Sequence, residues 1–162
     1  DSDDAAKGIL FDGRVAEDFK LTTGTWVTTG SLRIESLAAA APALQDAVVT
    51  GHDRDFVGLL AWPNIVACRQ IAGLGDEAGA DELIANPAVR QHIAAKLGEH
   101  NAAAGGSSNR IARVLLMAEP ASIDANEITD KGYINQRATL ERRADLVERL
   151  HADPLADDVI EI

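Results

Sequence analysis

The chain has 162 residues, enough for one domain with a substantial core. With 26 Asp and Glu against 15 Lys and Arg, its formal net charge of −11 argues against a nucleic-acid or anionic-membrane surface, because phosphates would be repelled. It leaves room for a small anionic ligand in a local Arg or Lys pocket, and the single Cys68, set in an apolar run, reads as a buried inert thiol.

Asp1 to Lys7 is acidic and small, and reads as a loose linker. Ile9-Leu10-Phe11 is a short strand ending in an Asp12-Gly13 turn. The stretch from Asp12 to Val27 predicts a β-hairpin: apolar and polar residues alternate through Phe19, Lys20 and Leu21, a Thr22-Thr23-Gly24 turn follows, and Trp26-Val27 returns. Gly24 supplies the positive φ that such a turn requires. Ser31 is the expected N-cap of a helix carrying Ile34, Leu37, Ala38 and Ala41 at helical spacing, stopped by Pro42.

Gln45 to Thr50 and Phe56 to Trp62 read as two strands around the polar turn 51–55, paired at the centre of the sheet. A helix follows over Ile65 to Ala72, closed by Gly73 and Gly75. After a polar connection, a helical segment spans Asp81 to Ala85. Asn86-Pro87 restarts it as N-cap and first helical residue, with Val89, Ile93 and Leu97 as the core face up to about Asn101. Ala102 to Asn109 is a flexible loop, and its Gly105-Gly106-Ser107-Ser108 lacks the Gly-Lys-Ser/Thr of a phosphate-binding loop. Arg110 to Ala118 is a strand ended by Pro120. Arg137 to His151 reads as one helix with Leu140, Ala144, Val147 and Leu150 inward. The acidic tail Pro154 to Ile162 is expected to be untethered. The element order indicates a small two-layer α+β domain: an N-terminal hairpin, a mixed or antiparallel sheet of about three strands, and packed helices.

Candidate chemistry is sparse. Lys131, in Thr129-Asp130-Lys131-Gly132, stands on a Gly-containing loop before a helix and can reach an anionic ligand as a mobile point charge, although an isolated loop lysine is ordinarily just solvated. The histidines at 52, 92, 100 and 151 form no metal-like set with Cys68, and no metal site is expected. No Gly-x-Ser-x-Gly elbow supports a serine hydrolase. Arg142, Arg143 and Arg149 are available to a phosphate but are expected to pair on the helix surface with Glu141, Asp145 and Glu148. No apolar run reaches transmembrane length and nothing at the start resembles a signal peptide, so a cytoplasmic location is expected.

Gly13-Arg14, Phe19-Lys20-Leu21, Thr22-Thr23-Gly24, Trp26-Val27 and Ser31-Leu32-Arg33-Ile34-Glu35 resemble the hinge and first hairpin of adenylate-forming enzymes, in the feruloyl-CoA synthase branch of the acyl-CoA ligases. The resemblance runs from about Gly8 to Asp153 and covers the small C-terminal lid domain of such an enzyme. It implies residues 1–14 as the end of a large N-terminal domain and approach to the hinge, 15–153 as the lid, and 154–162 as a tail. It further implies a two-step reaction. With Mg²⁺, ATP and an aromatic acid such as ferulate or coumarate give an acyl-adenylate; the lid then rotates and the thiol of coenzyme A (CoA) displaces AMP.

By that resemblance Lys131 bridges the substrate carboxylate and α-phosphate, while Lys20, Gly24 and Trp26 lie on the hairpin used in thioester formation, the glycine letting the pantetheine arm pass. Arg14 opens the hinge, with the pivot at Ala16 or Glu17. One departure stands out: the family loop reads Ser-Gly-Lys, and aligning Gly132 with its glycine puts Tyr133 where the lysine belongs, so Lys131 reaches in from two residues earlier. The partners implied are the large N-terminal domain, ATP, CoA and an aromatic carboxylic acid, none held tightly by this chain, which alone is expected to be inactive. A free-standing binding or regulatory module, and a non-catalytic structural or oligomerisation domain, are the other readings of the same residues.

Overall fold

The computed structural model describes residues 18–104, 106 and 109–162. Strands β1 (Phe19–Lys20) and β2 (Trp26–Val27) form an antiparallel hairpin with Phe19 opposite Val27 and Lys20 opposite Trp26. Helix α1 (Thr29–Ala39) leads into β3 (Leu44–Thr50) and β4 (Val57–Pro63), which pair antiparallel. Helices α2 (Ile65–Ala72), α3 (Ala80–Ala85) and α4 (Pro87–Ala103) then carry the chain to β5 (Ile111–Leu116), parallel to β4. A parallel neighbour requires such a long crossover. The short helices α5 (Gln136–Arg142) and α6 (Ala144–Leu150) precede β6 (Val159–Glu161), antiparallel to β5. The main sheet therefore runs β3-β4-β5-β6.

The period-2 alternation of the strands divides the core. Ala47, Val49, Leu59, Ala61, Val114 and Leu116 face the larger cluster, where Val89, Ile93 and Leu97 of α4 meet them. Val48, Leu60, Trp62, Leu115 and Met117 face the other side with Leu150 of α6. Helices thus cover both faces unequally, with α1 to α4 over one and the two short helices over the other. Because β4 is covered on both sides, every one of its residues is buried, as expected for a strand with a parallel neighbour.

The α+β class, the N-terminal hairpin and the capped helices follow the sequence reading. Asn64 caps α2 by accepting the Ala67 N–H and Gly73 closes it in the left-handed conformation; Asn86 caps α4 with Pro87 in its first turn. Several expectations are corrected. The main sheet has four strands, not about three, because the tail is tethered: Val159 and Ile160 are buried and pair with Leu115 and Val114. The β3–β4 hairpin lies at one side of the sheet, since the crossover inserts β5 on the far side of β4.

Helix α1 starts at Thr29, whose N–H the Asp18 carboxylate accepts, so Ser31 lies inside the helix and Ile34 faces solvent. The helix expected from Arg137 to His151 is broken at Arg143 (φ −107°, ψ 33°), and Ala144 is exposed. The strand expected at Ile9 to Phe11 and the Asp12-Gly13 turn lie outside the described residues. No helix among the described residues is long and apolar enough to cross a membrane.

Candidate functional site

Lys131 stands at the tip of a narrow excursion between β5 and α5. Asn135 donates its N–H to the Glu127 carbonyl at 2.8 Å, Ile128 and Ile134 form an antiparallel bridge, and Thr129 donates its N–H to the Tyr133 carbonyl at 2.8 Å. A tight turn closes the tip, with Gly132 N–H on the Thr129 carbonyl at 2.9 Å and Gly132 at φ +85°. Lys131 and Tyr133 project from it exposed, and among the described residues no carboxylate pairs with Lys131. An ammonium group so placed is free to meet an incoming anion.

The root of this turn is buried and charged. Glu127 is fully buried and accepts from Arg143 Nε at 2.7 Å, Arg143 Nη2 at 3.1 Å, Arg142 Nη1 at 3.1 Å and the Ser122 N–H at 2.8 Å. Burial pushes the Glu127 carboxyl up. The Arg143 hydrogen bond, the Ser122 N–H and the charges of Arg143 and Arg142 outweigh it and hold the carboxyl below its ordinary value. Arg143 also donates to the Glu119 and Pro120 carbonyls at 3.1 and 3.0 Å, and its guanidinium lies 5.4 Å from the Trp62 ring centre. The arginines expected to pair along the helix surface therefore pair elsewhere: Arg142 with Glu119 and Glu127, Arg143 with Glu127, and Arg149 with Asp158. The helix break at Arg143 turns its side chain inward, away from Asp145.

Next to the root, Gln136 is also buried. Its Oε1 accepts the Val49 N–H at 3.0 Å and its Nε2 donates to the Val49 carbonyl at 2.5 Å, so one side-chain amide pairs with the outer edge of β3 as a strand residue would. Glu127, Arg143 and Gln136 had no local sequence signal for these roles. Asn135 did: an Asn before a helix is an N-cap, and its Oδ1 accepts the Ala138 N–H.

The hairpin forms a second exposed element. Leu21 N–H meets the Thr25 carbonyl and Gly24 N–H the Leu21 carbonyl, with Gly24 at φ +87°. A side-chain carbon at Gly24 would meet nothing within 4 Å. Lys20 Nζ sits 5.3 Å from the centre of the Trp26 ring, and Trp26 is 59% exposed. Phe19 and Leu21 are buried, and Thr22 reaches across to Asp55 and the Arg54 carbonyl, so the hairpin rests on the turn after β3. The hairpin and the Lys131 turn share no hydrogen bond or ion pair among the described residues; the structure keeps them apart on one frame. Arg14, Ala16 and Glu17 lie outside the described residues.

Cys68 is buried, its thiol pushed up by burial and donating to the Ala43 carbonyl. Among the described residues no group of three or more His, Cys, Asp or Glu comes together as a metal site.

The model of the family described as AMP-binding enzyme C-terminal domain matches residues 21–154. The chain belongs to this family. No curated protein matches it significantly by sequence. Among solved structures it is similar to the A domain of carboxylic acid reductase from Segniliparus rugosus in complex with AMP and a co-purified carboxylic acid. That likeness has a TM-score of 0.61 at 17% identity, over 83% of this chain and 20% of that one. The A-PCP didomain of carboxylic acid reductase from the same organism, in complex with AMP, gives 0.61 at 18% identity, over 82% and 17%. At these identities the likeness is one of fold, and the chain spans about a fifth of the length of those structures. In this AMP-binding enzyme C-terminal domain the matched span contains Gly24, Trp26 and Lys131, while Lys20 precedes it by one residue and β6 follows it.

Proposed function

We propose that this domain is the mobile lid of an ATP-dependent acyl- or aryl-CoA ligase of the feruloyl-CoA synthase type, acting with a large N-terminal domain in the cytoplasm. The observation that carries the reading is the exposed Lys131, unpaired among the described residues, on a turn whose root is buried and multiply bonded, in a chain belonging to the AMP-binding enzyme C-terminal domain family. Mg²⁺, when bound with ATP, would screen its phosphates. The carboxylate of an aromatic acid such as ferulate or coumarate attacks the α-phosphorus of ATP and pyrophosphate leaves. Lys131 stabilises the charge that builds on the oxygens between them. After rotation about the segment holding Arg14, Ala16 and Glu17, the Lys20–Gly24–Trp26 hairpin borders the path of CoA, whose thiol attacks the acyl carbon and releases AMP.

The two half-reactions of the complete gene product test this. Lys131→Ala should lower adenylate formation from ferulate or coumarate by about 100-fold, the scale of losing one preorganised electrostatic contact, and leave thioester formation from supplied acyl-adenylate near normal. Gly24→Leu should do the reverse. Equal adenylate formation with and without Lys131 would overturn its role; adenylate without CoA thioester in the parent would overturn the CoA-ligase reading, and absence of both products would favour a binding or regulatory module.

A further inference from the structure

The Lys131 turn is a lever of two short rungs, and where its tip goes is decided at its root. Two buried side chains act there on opposite sides. Glu127 ties the incoming arm to Arg143 and the Ser122 N–H, and Gln136 ties the outgoing arm to both backbone groups of Val49, 87 residues away. A side chain of this length whose amide matches donor and acceptor on a single strand residue fixes both distance and direction, as a β-ladder pair does. The edge of β3 needs some cover at Val49, but an apolar residue would provide it without fixing direction.

We infer that Gln136 is a positioning residue for Lys131: its pair of hydrogen bonds to Val49, opposed by the Glu127 anchor, sets the reach of the turn that presents the lysine. The inference rests on the adenylate-forming reading above. Freed from Val49, the outgoing arm pivots on Glu127 alone and the Lys131 ammonium leaves the path of the reacting oxygens, a displacement that costs rate more than binding.

The test uses the complete gene product with ATP and ferulate or coumarate, measuring adenylate formation, and thioester formation from supplied acyl-adenylate. Gln136→Met keeps the length and volume but neither hydrogen bond. It should reduce kcat for adenylate formation by about 10- to 100-fold, leave KM for the acid within about twofold, and leave the thioester half-reaction unchanged. In a Lys131→Ala background the same substitution should have no further effect, because Gln136 acts only through the lysine. Equal loss in both half-reactions, or an undiminished effect without Lys131, would show a merely structural residue and overturn the inference. If Gln136→Met fails to fold, Gln136→Glu, which keeps the acceptor for the Val49 N–H but loses the donor to its carbonyl, takes its place in the same cycle with the same expected direction of effect. Lys131→Ala without effect on adenylate formation would instead refute the underlying reading, and the two failures are thereby distinguished.

Discussion

Replacing Glu127 by Ala removes the acceptor on which four N–H groups converge, at 2.7 to 3.1 Å. Breaking a buried ion pair from one side costs about 3–5 kcal/mol, because the remaining charge stays buried without its partner. Here the loss is cushioned. Arg143 keeps the Glu119 and Pro120 carbonyls, and Arg142 is part-exposed and keeps the Glu119 carboxylate. The low end of the range applies, about 3 kcal/mol at pH 7. With a urea slope of about 2 kcal/mol/M, the unfolding midpoint of the 162-residue chain should fall by about 1.5 M. The cost should also depend on pH in one direction. The Glu127 carboxyl is held below its ordinary value of 4.5 in the folded chain. The stability it contributes is therefore fully present above pH 4.5 and lost as pH falls through the lower folded value. The gap between parent and variant should narrow in that acid window. A midpoint shift under about 0.3 M at pH 7, or a gap unchanged down into the acid, would refute the reasoning.

Two further outcomes follow from other parts of the fold. His151 is stacked on Phe56 at 4.7 Å and bonded through Nε2 to Thr50, with its Nδ1 buried and unpartnered among the described residues; burial, then Arg54 and Arg113, lower it from 6.5 to about 4. A folded value below the unfolded one means stability falls as pH drops from 6.5 towards 4, by about 3 kcal/mol at full burial and about 2 for a ring partly open to solvent. Titration of the ring by NMR should find a midpoint near 4, and a midpoint above 6 would contradict the buried environment. Ile160→Ala, on the strand formed by the tail, should cost about 2–4 kcal/mol in urea unfolding, whereas a cost below about 0.5 kcal/mol would place that segment outside the core.

What the sequence revealed and what it hid divide by the range of the interaction responsible. Helix α2 and the start of α4 were legible to the residue because their signals are local: Asn64 and Asn86 bond to N–H groups two or three positions on, and Gly73 and Pro87 punctuate the chain; the end of α4, expected near Asn101, lies at Ala103. The Gly24 turn and the Lys131 turn were legible for the same reason. The tail was not. Asp153, Asp157 and Asp158 make it read as solvated, yet Val159 and Ile160 dock on β5, Arg90 donates to three of its carbonyls, and Arg149 holds Asp158. Arg142 and Arg143 were misread by the same error in reverse, since local pairing rules offered Glu141 and Asp145 while the true partner, Glu127, lies 15 and 16 residues back. Periodicity carries no information about a partner that only folding brings near.

The long-range contacts that escaped the sequence are those that give the site its frame. Asn101 holds the N–H and carbonyl of Ile111 with one side-chain amide, and Gln136 does the same to Val49, so twice a buried amide stands in for a missing strand neighbour. At β3 the arrangement reaches further. Gln136 ends the Lys131 turn on Val49; two residues later Gly51, at φ +142°, lets Phe19 and Leu21 approach so closely that a side-chain carbon there would lie 3.0 Å from the Phe19 ring. Thr22 then bonds to Arg54 and Asp55 just beyond. The lysine turn and the hairpin are thus both fastened within seven residues of one strand and the turn that follows it. Under the proposed alternation, one rotation of the domain exchanges the two elements at a single site. Neither has to change shape, because the strand that fixes one also fixes the other.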